Sequence, residues 1–158
     1  MTFLIRLAND DDAESIASLM LNAFLEFEHL YTSGSLQATT TDESQILIRL
    51  QEGPIWVALD NDEVVGTVTA QPRGNSVFIR GMAVLPKARG KGIGESLLKT
   101  VEHWARARNF SQLTLCTTPF FSKAIRLYEN FGFVFTAERG DLYGIELLNM
   151  EKKLNSGR

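Results

Sequence analysis

Val77-Phe78-Ile79-Arg80-Gly81-Met82-Ala83-Val84-Leu85-Pro86 runs into Arg89-Gly90-Lys91-Gly92-Ile93-Gly94, and the reading of this stretch decides the fold. The first part is an apolar, β-branched run ended by proline, which predicts a strand. The second alternates three glycines with two cations and one isoleucine, just ahead of a helical stripe at Ile93, Leu97, Leu98, Val101, Trp104 and Ala105. Glycine lets the backbone expose consecutive N–H groups and lets a ligand approach closely. The helix that follows brings unpaired N–H donors and the positive end of its dipole to the same place. A strand, glycine turn and helix of this kind make a site for a di-anion such as a pyrophosphate.

Outward from that point the elements read off in order. Residues 3–7 predict a short strand. Asn9 or Asp10 can cap the following helix, whose apolar residues Ala13, Ile16, Ala17, Met20, Ala23, Phe24 and Phe27 recur at three-and-four spacing. Periodicity breaks down over residues 28–41, a loop or weak helix of the kind that often shapes a substrate site. Asp42 and Glu43 open a second helix through Leu50, closed by Gly53-Pro54. Strands follow at 55–59 and 64–71, joined by a hairpin at Asp60-Asn61-Asp62-Glu63. A turn around Arg73-Gly74-Asn75 leads to the strand at 77–85. After the glycine turn and its helix come a strand at 113–117 and a helix marked by Phe121, Ala124, Ile125, Tyr128 and Phe131. Two strands, 133–136 and 143–154, close the chain, with 138–141 as their loop. The expected fold class is α/β: a single domain over residues 1–154 built on one mixed, mostly antiparallel, twisted sheet. Six to seven strands and helices on both faces are expected, with residues 155–158 as a frayed tail.

Bulk properties narrow the function. A chain of 158 residues, 44% hydrophobic and 22% charged, is the size and composition of one soluble domain. A formal net charge of −3 gives no electrostatic support to nucleic-acid binding. Its single cysteine, Cys116, excludes a disulfide framework and a cysteine-rich zinc site, and no His, Asp and Glu pattern has metal-ligand spacing. The first six residues lack a signal-peptide pattern, and no run approaches the roughly 18 apolar residues of a membrane span. A cytoplasmic protein without membrane or nucleic-acid partners is the expectation.

Two nucleotide motifs fail on spacing. No window supplies a Walker loop, and a dinucleotide fingerprint would need a third glycine where Glu95 stands. Val84-x-Pro86 followed by Arg89-x-x-Gly92-x-Gly94 at a helix start instead resembles the acyl-CoA-binding motif of the GNAT superfamily of N-acetyltransferases. Ala124, Tyr128, Gly132 and Phe133 match that family's second signature, Ala-x-x-x-Tyr-x-x-x-Gly-Phe. Met150-x-Lys152-x-Leu154 is similar to its last strand. The element order is similar over nearly the whole chain.

The resemblance implies acetyl-CoA as acyl donor and no metal. Backbone N–H groups of Arg89, Gly90, Lys91, Gly92, Ile93 and Gly94 would hold the pyrophosphate. The cofactor arm would extend along Met82, Ala83 and Val84 like an added strand. An N–H near Met82 would polarise the acetyl carbonyl, and Tyr128 would donate a proton to the departing thiolate. Ala124 would also line the cofactor. Two positions depart from the family pattern. Phe121 stands where relatives often carry a cofactor-binding asparagine, and Phe78 stands where histone-type relatives carry a glutamate base.

The acceptor would be a primary amine of a small molecule or peptide. Strand alternation, before any bulge near the acetyl site, places Phe78, Arg80 and Met82 on one face, so Arg80 is the candidate for binding an acceptor carboxylate or phosphate. His29, from the irregular segment, and Glu146, on a strand face with Leu148 and Met150, are further acceptor-site candidates. Relatives often pair, which makes a homodimer a further expectation. The alternative function is a non-catalytic acyl-CoA sensor on the same fold.

Overall fold

The computed structural model describes residues 2–35 and 41–154. Strands β1 (Leu4–Leu7), β2 (Ile55–Asp60), β3 (Glu63–Arg73), β4 (Ser76–Val84), β5 (Gln112–Thr117), β6 (Val134–Leu142) and β7 (Ile145–Lys153) form one seven-stranded sheet. Their order is β1-β2-β3-β4-β5-β7-β6, and only the central β4–β5 pair is parallel. Helices α1 (Ala13–Leu25) and α2 (Glu43–Glu52) cover one face; α3 (Ile93–Ala107) and α4 (Ser122–Asn130) cover the other. The mixed, mostly antiparallel sheet between helices is the architecture expected from the sequence. The 155–158 tail, together with part of the Thr39-Thr40-Thr41 run, lies outside the described residues.

Residue alternation explains the two layers. Along β2, Ile55 and Val57 turn toward Ile16, Met20 and Ile46 of α1 and α2, while Trp56 and Ala58 turn toward Leu97, Leu98 and Val101 of α3. Two capping boxes set the helices on the first face. Asp42 accepts from the Gln45 N–H at 2.9 Å and starts α2. Ahead of α1, Asn9 Oδ1 accepts from the Asp11 N–H at 2.9 Å, and Asp12 Oδ2 accepts from the Asn9 N–H at 2.8 Å.

Asp12 has a second task. Its carboxylate takes two guanidinium bonds from Arg6, at 2.8 and 2.9 Å, tying β1 to the start of α1. These bonds hold the Asp12 carboxyl below its ordinary range, against a desolvation that pushes the other way. A depressed carboxyl pKa stabilises the fold above the unfolded-state value, and that contribution is lost as pH falls through the folded-state value. Asp12→Ala is expected to cost about 1–3 kcal/mol. Urea midpoints for the variant should also fall less steeply than wild type below pH 4.

Two local readings are corrected. Residues 138–141 are not a loop: β6 runs through to Leu142, and the hairpin turns at Tyr143 and Gly144, both with positive φ (49° and 94°). β6 is an edge strand exposed along most of its length, so it carries no hydrophobic alternation to announce it. Its pairing with β7 is also irregular between Phe135 and Arg139.

The other correction concerns β4. Thr67 pairs with Ala83 and Thr69 with Arg80, so Gly81 and Met82 together face the single residue Val68. This is a bulge, and Gly81 supplies the positive φ (62°) it requires. The bulge separates two side chains expected on one face: Arg80 stays on the α1–α2 side, while Met82 packs into the α3 layer.

Candidate functional site

The turn between β4 and α3 leaves its backbone donors free. Gly90 and Gly92 take positive φ values of 78° and 85°, and a Cβ on either would meet nothing within 4 Å. The N–H groups of Gly90, Lys91 and Gly92 donate to no described residue. Gly92 caps α3 without a side-chain bond, and the first bond made at that cap is Ser96 N–H to Gly92 O at 3.0 Å. The N–H groups of Ile93, Gly94 and Glu95 therefore also lack intrahelical partners. Successive donors at the positive end of a 15-residue helix form an anion nest.

Arg89 does not add to that nest. Its N–H donates to Pro86 O at 3.3 Å, and its guanidinium bonds Val84 O at 3.0 Å, Ala23 O at 3.3 Å and the Glu26 carboxylate. It fastens the turn to the end of α1. Gly90, Lys91 and Gly92 are exposed at the turn, Gly94 is partly buried, and Ile93 turns its side chain into the core while its N–H stays at the helix start, with Arg89 bonded behind them.

Beside the nest the sheet splits. β4 and β5 pair from Ser76 with Gln112 to Ile79 with Leu115 and no further. Beyond that point β5 remains with β7, through Cys116–Asn149 and Thr117–Leu148, while residues 80–84 of β4 have no strand on that side. Met82, Ala83 and Val84 thus lie on an unpaired parallel edge that leads directly into the glycine turn.

The elements around the split converge closely. A Cβ on Gly94 would stand 2.9 Å from Leu127 Cδ2 and 3.2 Å from Met82 Cε, so the start of α3, the bulge and α4 meet there. Tyr128, next to Leu127, is 9% exposed and packs edge-on against Phe133 at 6.0 Å. Burial pushes its phenol up to about 12. The hydroxyl bonds to no described residue. Thr118 Oγ1, just past the end of β5, is buried and without a hydrogen-bond partner among the described residues. Ala124 sits partly buried on the same layer.

On the opposite face, Arg80 Nη1 approaches Gln71 Oε1 at 3.4 Å. Arg49 of α2 comes over the bulge: a Cβ on Gly81 would lie 3.5 Å from Arg49 Nη1, 3.6 Å from Thr69 Oγ1 and 3.4 Å from Met20 Cε. Phe121 belongs to an aromatic cluster, 4.8 Å from Phe27 and 5.9 Å from Phe24. It therefore replaces a polar contact by apolar packing, joining the end of α1 to the β5–α4 loop. His29 lies exposed in a short 3-10 turn, Glu28–Leu30; Glu146 is exposed, 3.8 Å from Arg139. No hydrogen bond or ion pair joins either to Arg80. Sequence reasoning missed Arg49 and Thr118. Arg49 sits on an ordinary amphipathic helix, and only the tertiary fold sets it beside β4. Among the described residues no group of three or more His, Cys, Asp or Glu could hold a metal. Among them, too, no helix is long and apolar enough to cross a membrane.

Known proteins agree with this layout. The model of a family described as "Acetyltransferase (GNAT) family" matches residues 16–133. An N-acetylaspartate synthetase of Danio rerio is 41% identical over 88 residues, 54% of this chain and 31% of the relative. N-acetyltransferase 8 of Mus musculus is 31% identical over 114 residues, 68% of this chain and 50% of the relative. The chain thus spans only 31% to 50% of the length of these curated relatives. The PaiA N-acetyltransferase of Thermoplasma acidophilum, solved in complex with coenzyme A, superposes with a TM-score of 0.81 at 18% identity, covering 98% of this chain and 100% of that one.

Proposed function

This chain belongs to the acetyltransferase (GNAT) family, and from that premise we propose that residues 1–154 form an N-acetyltransferase domain using acetyl-CoA. The acceptor in this reading is a primary amine of a small molecule or peptide. The observation that carries the reading is the nest at Gly90–Gly94 continued by the unpaired edge of β4. The free N–H groups and the uncrowded backbone at Gly90 and Gly92 suit a pyrophosphate. Residues 82–84 suit an extended amide-bearing arm, which can bond to a free strand edge as a peptide does.

Acetyl-CoA supplies the activated acyl group as a thioester. The chain's part is positioning and charge stabilisation. A backbone N–H at the Met82 bulge would stabilise the negative charge that develops on the acetyl carbonyl oxygen. Tyr128 would donate its phenolic proton to the sulfur as the C–S bond breaks and regain one from the proton shed by the new amide nitrogen, through solvent. Burial holds the phenol protonated into the alkaline range. The amine attacks in its neutral form. An α-amine, with a pKa near 7.7–8.0, reaches that form far more readily than a lysine side chain near 10.4. The N-acetylaspartate synthetase among the relatives supports an amino-acid-like acceptor, for which Arg80 offers a carboxylate partner.

A thiol-release assay over a panel of amines tests the proposal. Amine-dependent release of coenzyme A at enzymatic rates is the expected result. Tight coenzyme A binding without release by any amine would leave the fold as a sensor and overturn the enzyme reading.

A further inference from the structure

Arg49 and Arg80 are two guanidinium groups in one half-buried place, and neither has a carboxylate within ion-pair distance among the described residues. Arg80 has a single long bond, 3.4 Å, to Gln71, whose oxygen also accepts from Arg73 at 3.1 Å. The Arg49 guanidinium makes no hydrogen bond to any described residue. By contrast, the half-buried Arg6 is satisfied by Asp12, and even the exposed Arg89 bonds Glu26 and two carbonyls. Burial, and then repulsion from Arg80, bring Arg49 down to about 10, and the weaker opposing attraction of Glu52, which is not within ion-pair distance, does not offset them. Like charges left side by side and partly desolvated destabilise a fold unless an anion joins them.

The pair is also well placed. Arg49 Nη1 stands over Gly81, the first residue of the bulge, while Met82, the second, turns to the opposite layer. Thr69 Oγ1 points to the same spot and bonds to no described residue. An anion held there sits on the α1–α2 side of the strand whose other edge lies in the split. We infer that Arg49 and Arg80 together form the recognition site for the acceptor's anionic groups, and that the acceptor is a small amine bearing carboxylates, dicarboxylates above monocarboxylates.

Charge matching gives that ranking. In its reactive, neutral-amine form a monocarboxylic amino acid carries one negative charge and a dicarboxylic one carries two, which balances two guanidinium groups. Thr69 adds a hydroxyl donor, and the planar forks of arginine suit carboxylate oxygens better than a lysine would. The inference rests on the acetyltransferase reading but assigns it a substrate class and adds a residue, Arg49, that lies outside the motifs read from the sequence.

The experiment has a kinetic and a binding arm, with aspartate, glutamate, alanine, aspartate diamide and n-butylamine as probes. Aspartate or glutamate should exceed n-butylamine in kcat/KM by about 100-fold or more. Arg49→Gln and Arg80→Gln should each raise the KM for these two by about tenfold or more, with the KM for acetyl-CoA unchanged. Arg49→Lys should recover part of the loss, which a purely structural role would not allow. In the binding arm, aspartate without acyl donor should raise the thermal midpoint of wild type and not that of Arg49→Gln. Equal use of n-butylamine and aspartate, or equal losses on both in the variants, would overturn the inference while leaving the acetyltransferase reading intact. If no amine releases thiol, the enzyme reading fails, and the binding arm alone decides whether the pair holds a carboxylate.

Discussion

Tyr128→Phe is expected to lower kcat by about 100-fold or more while acetyl-CoA affinity stays within about twofold of wild type. The substitution isolates one oxygen. The ring keeps its packing against Phe133, and the hydroxyl has no described hydrogen-bond partner whose loss would strand a buried group. Stability at neutral pH should therefore hardly change. A drop in kcat with an unchanged thermal midpoint assigns the loss to proton donation, because packing damage would lower both. Unchanged kcat would remove Tyr128 from the mechanism.

The same phenol makes a pH prediction of definite sign. Burial raises it to about 12, so it remains a proton donor well past pH 9, and its ionisation will not produce an alkaline limb in kcat near 10. Any limb seen at lower pH belongs to the acceptor amine or another group. Folding favours the protonated form, so its contribution to stability is complete below the unfolded-state value near 10. It is lost as pH rises from there toward 12, where the unfolded chain gives up its proton first. Phenylalanine has no such proton. Urea midpoints compared between pH 9 and pH 11 should decline more steeply in wild type than in the variant.

What the sequence revealed and what it hid divide along a physical line. The α3 stripe of Ile93, Leu97, Leu98, Val101 and Ala105 was legible because one buried face of a helix is a local pattern. The Asn61-Asp62 hairpin turn and the Asp42–Gln45 cap were legible because their donors and acceptors lie within four residues of each other. The glycine turn was readable for the same reason, since both its conformation and the helix end it opens are set nearby. Gly81 was different: whether Met82 follows Arg80 onto one face depends on β3 across the ladder, where Val68 faces two residues instead of one. Alternation alone therefore put both side chains on the acceptor side. β6 escaped because an edge strand exposed along most of its length has no buried face to impose a period. Arg49 was hidden most deeply, since α2 and β4 meet only through tertiary packing and a solvated helical arginine looks the same in sequence as one facing Arg80.

Gly92→Val is expected to weaken coenzyme A binding by about 30-fold or more, and a second glycine makes the reason separable from strain. Gly92 and Gly74 both hold positive φ, 85° and 62°, and a side chain on either would meet nothing within 4 Å. Valine in the left-handed region costs about 1–2 kcal/mol at either position, through the clash of its Cβ with its own backbone. Both variants should consequently lose a similar amount of stability. Gly74, however, lies in the β3–β4 turn, at the end of the sheet away from the split, where β4 begins. Gly92 is the cap of α3, and leaving the left-handed region there turns the N–H groups of Lys91, Gly92 and Ile93 out of their common direction. Calorimetric titration should show Gly74→Val binding coenzyme A as wild type does and Gly92→Val binding it weakly. Pantetheine, which lacks the pyrophosphate, should bind all three proteins alike. Wild-type affinity for coenzyme A in Gly92→Val would mean that the N–H groups of this turn do not hold the anion. An equal loss of pantetheine binding would place the damage in the β4 edge instead.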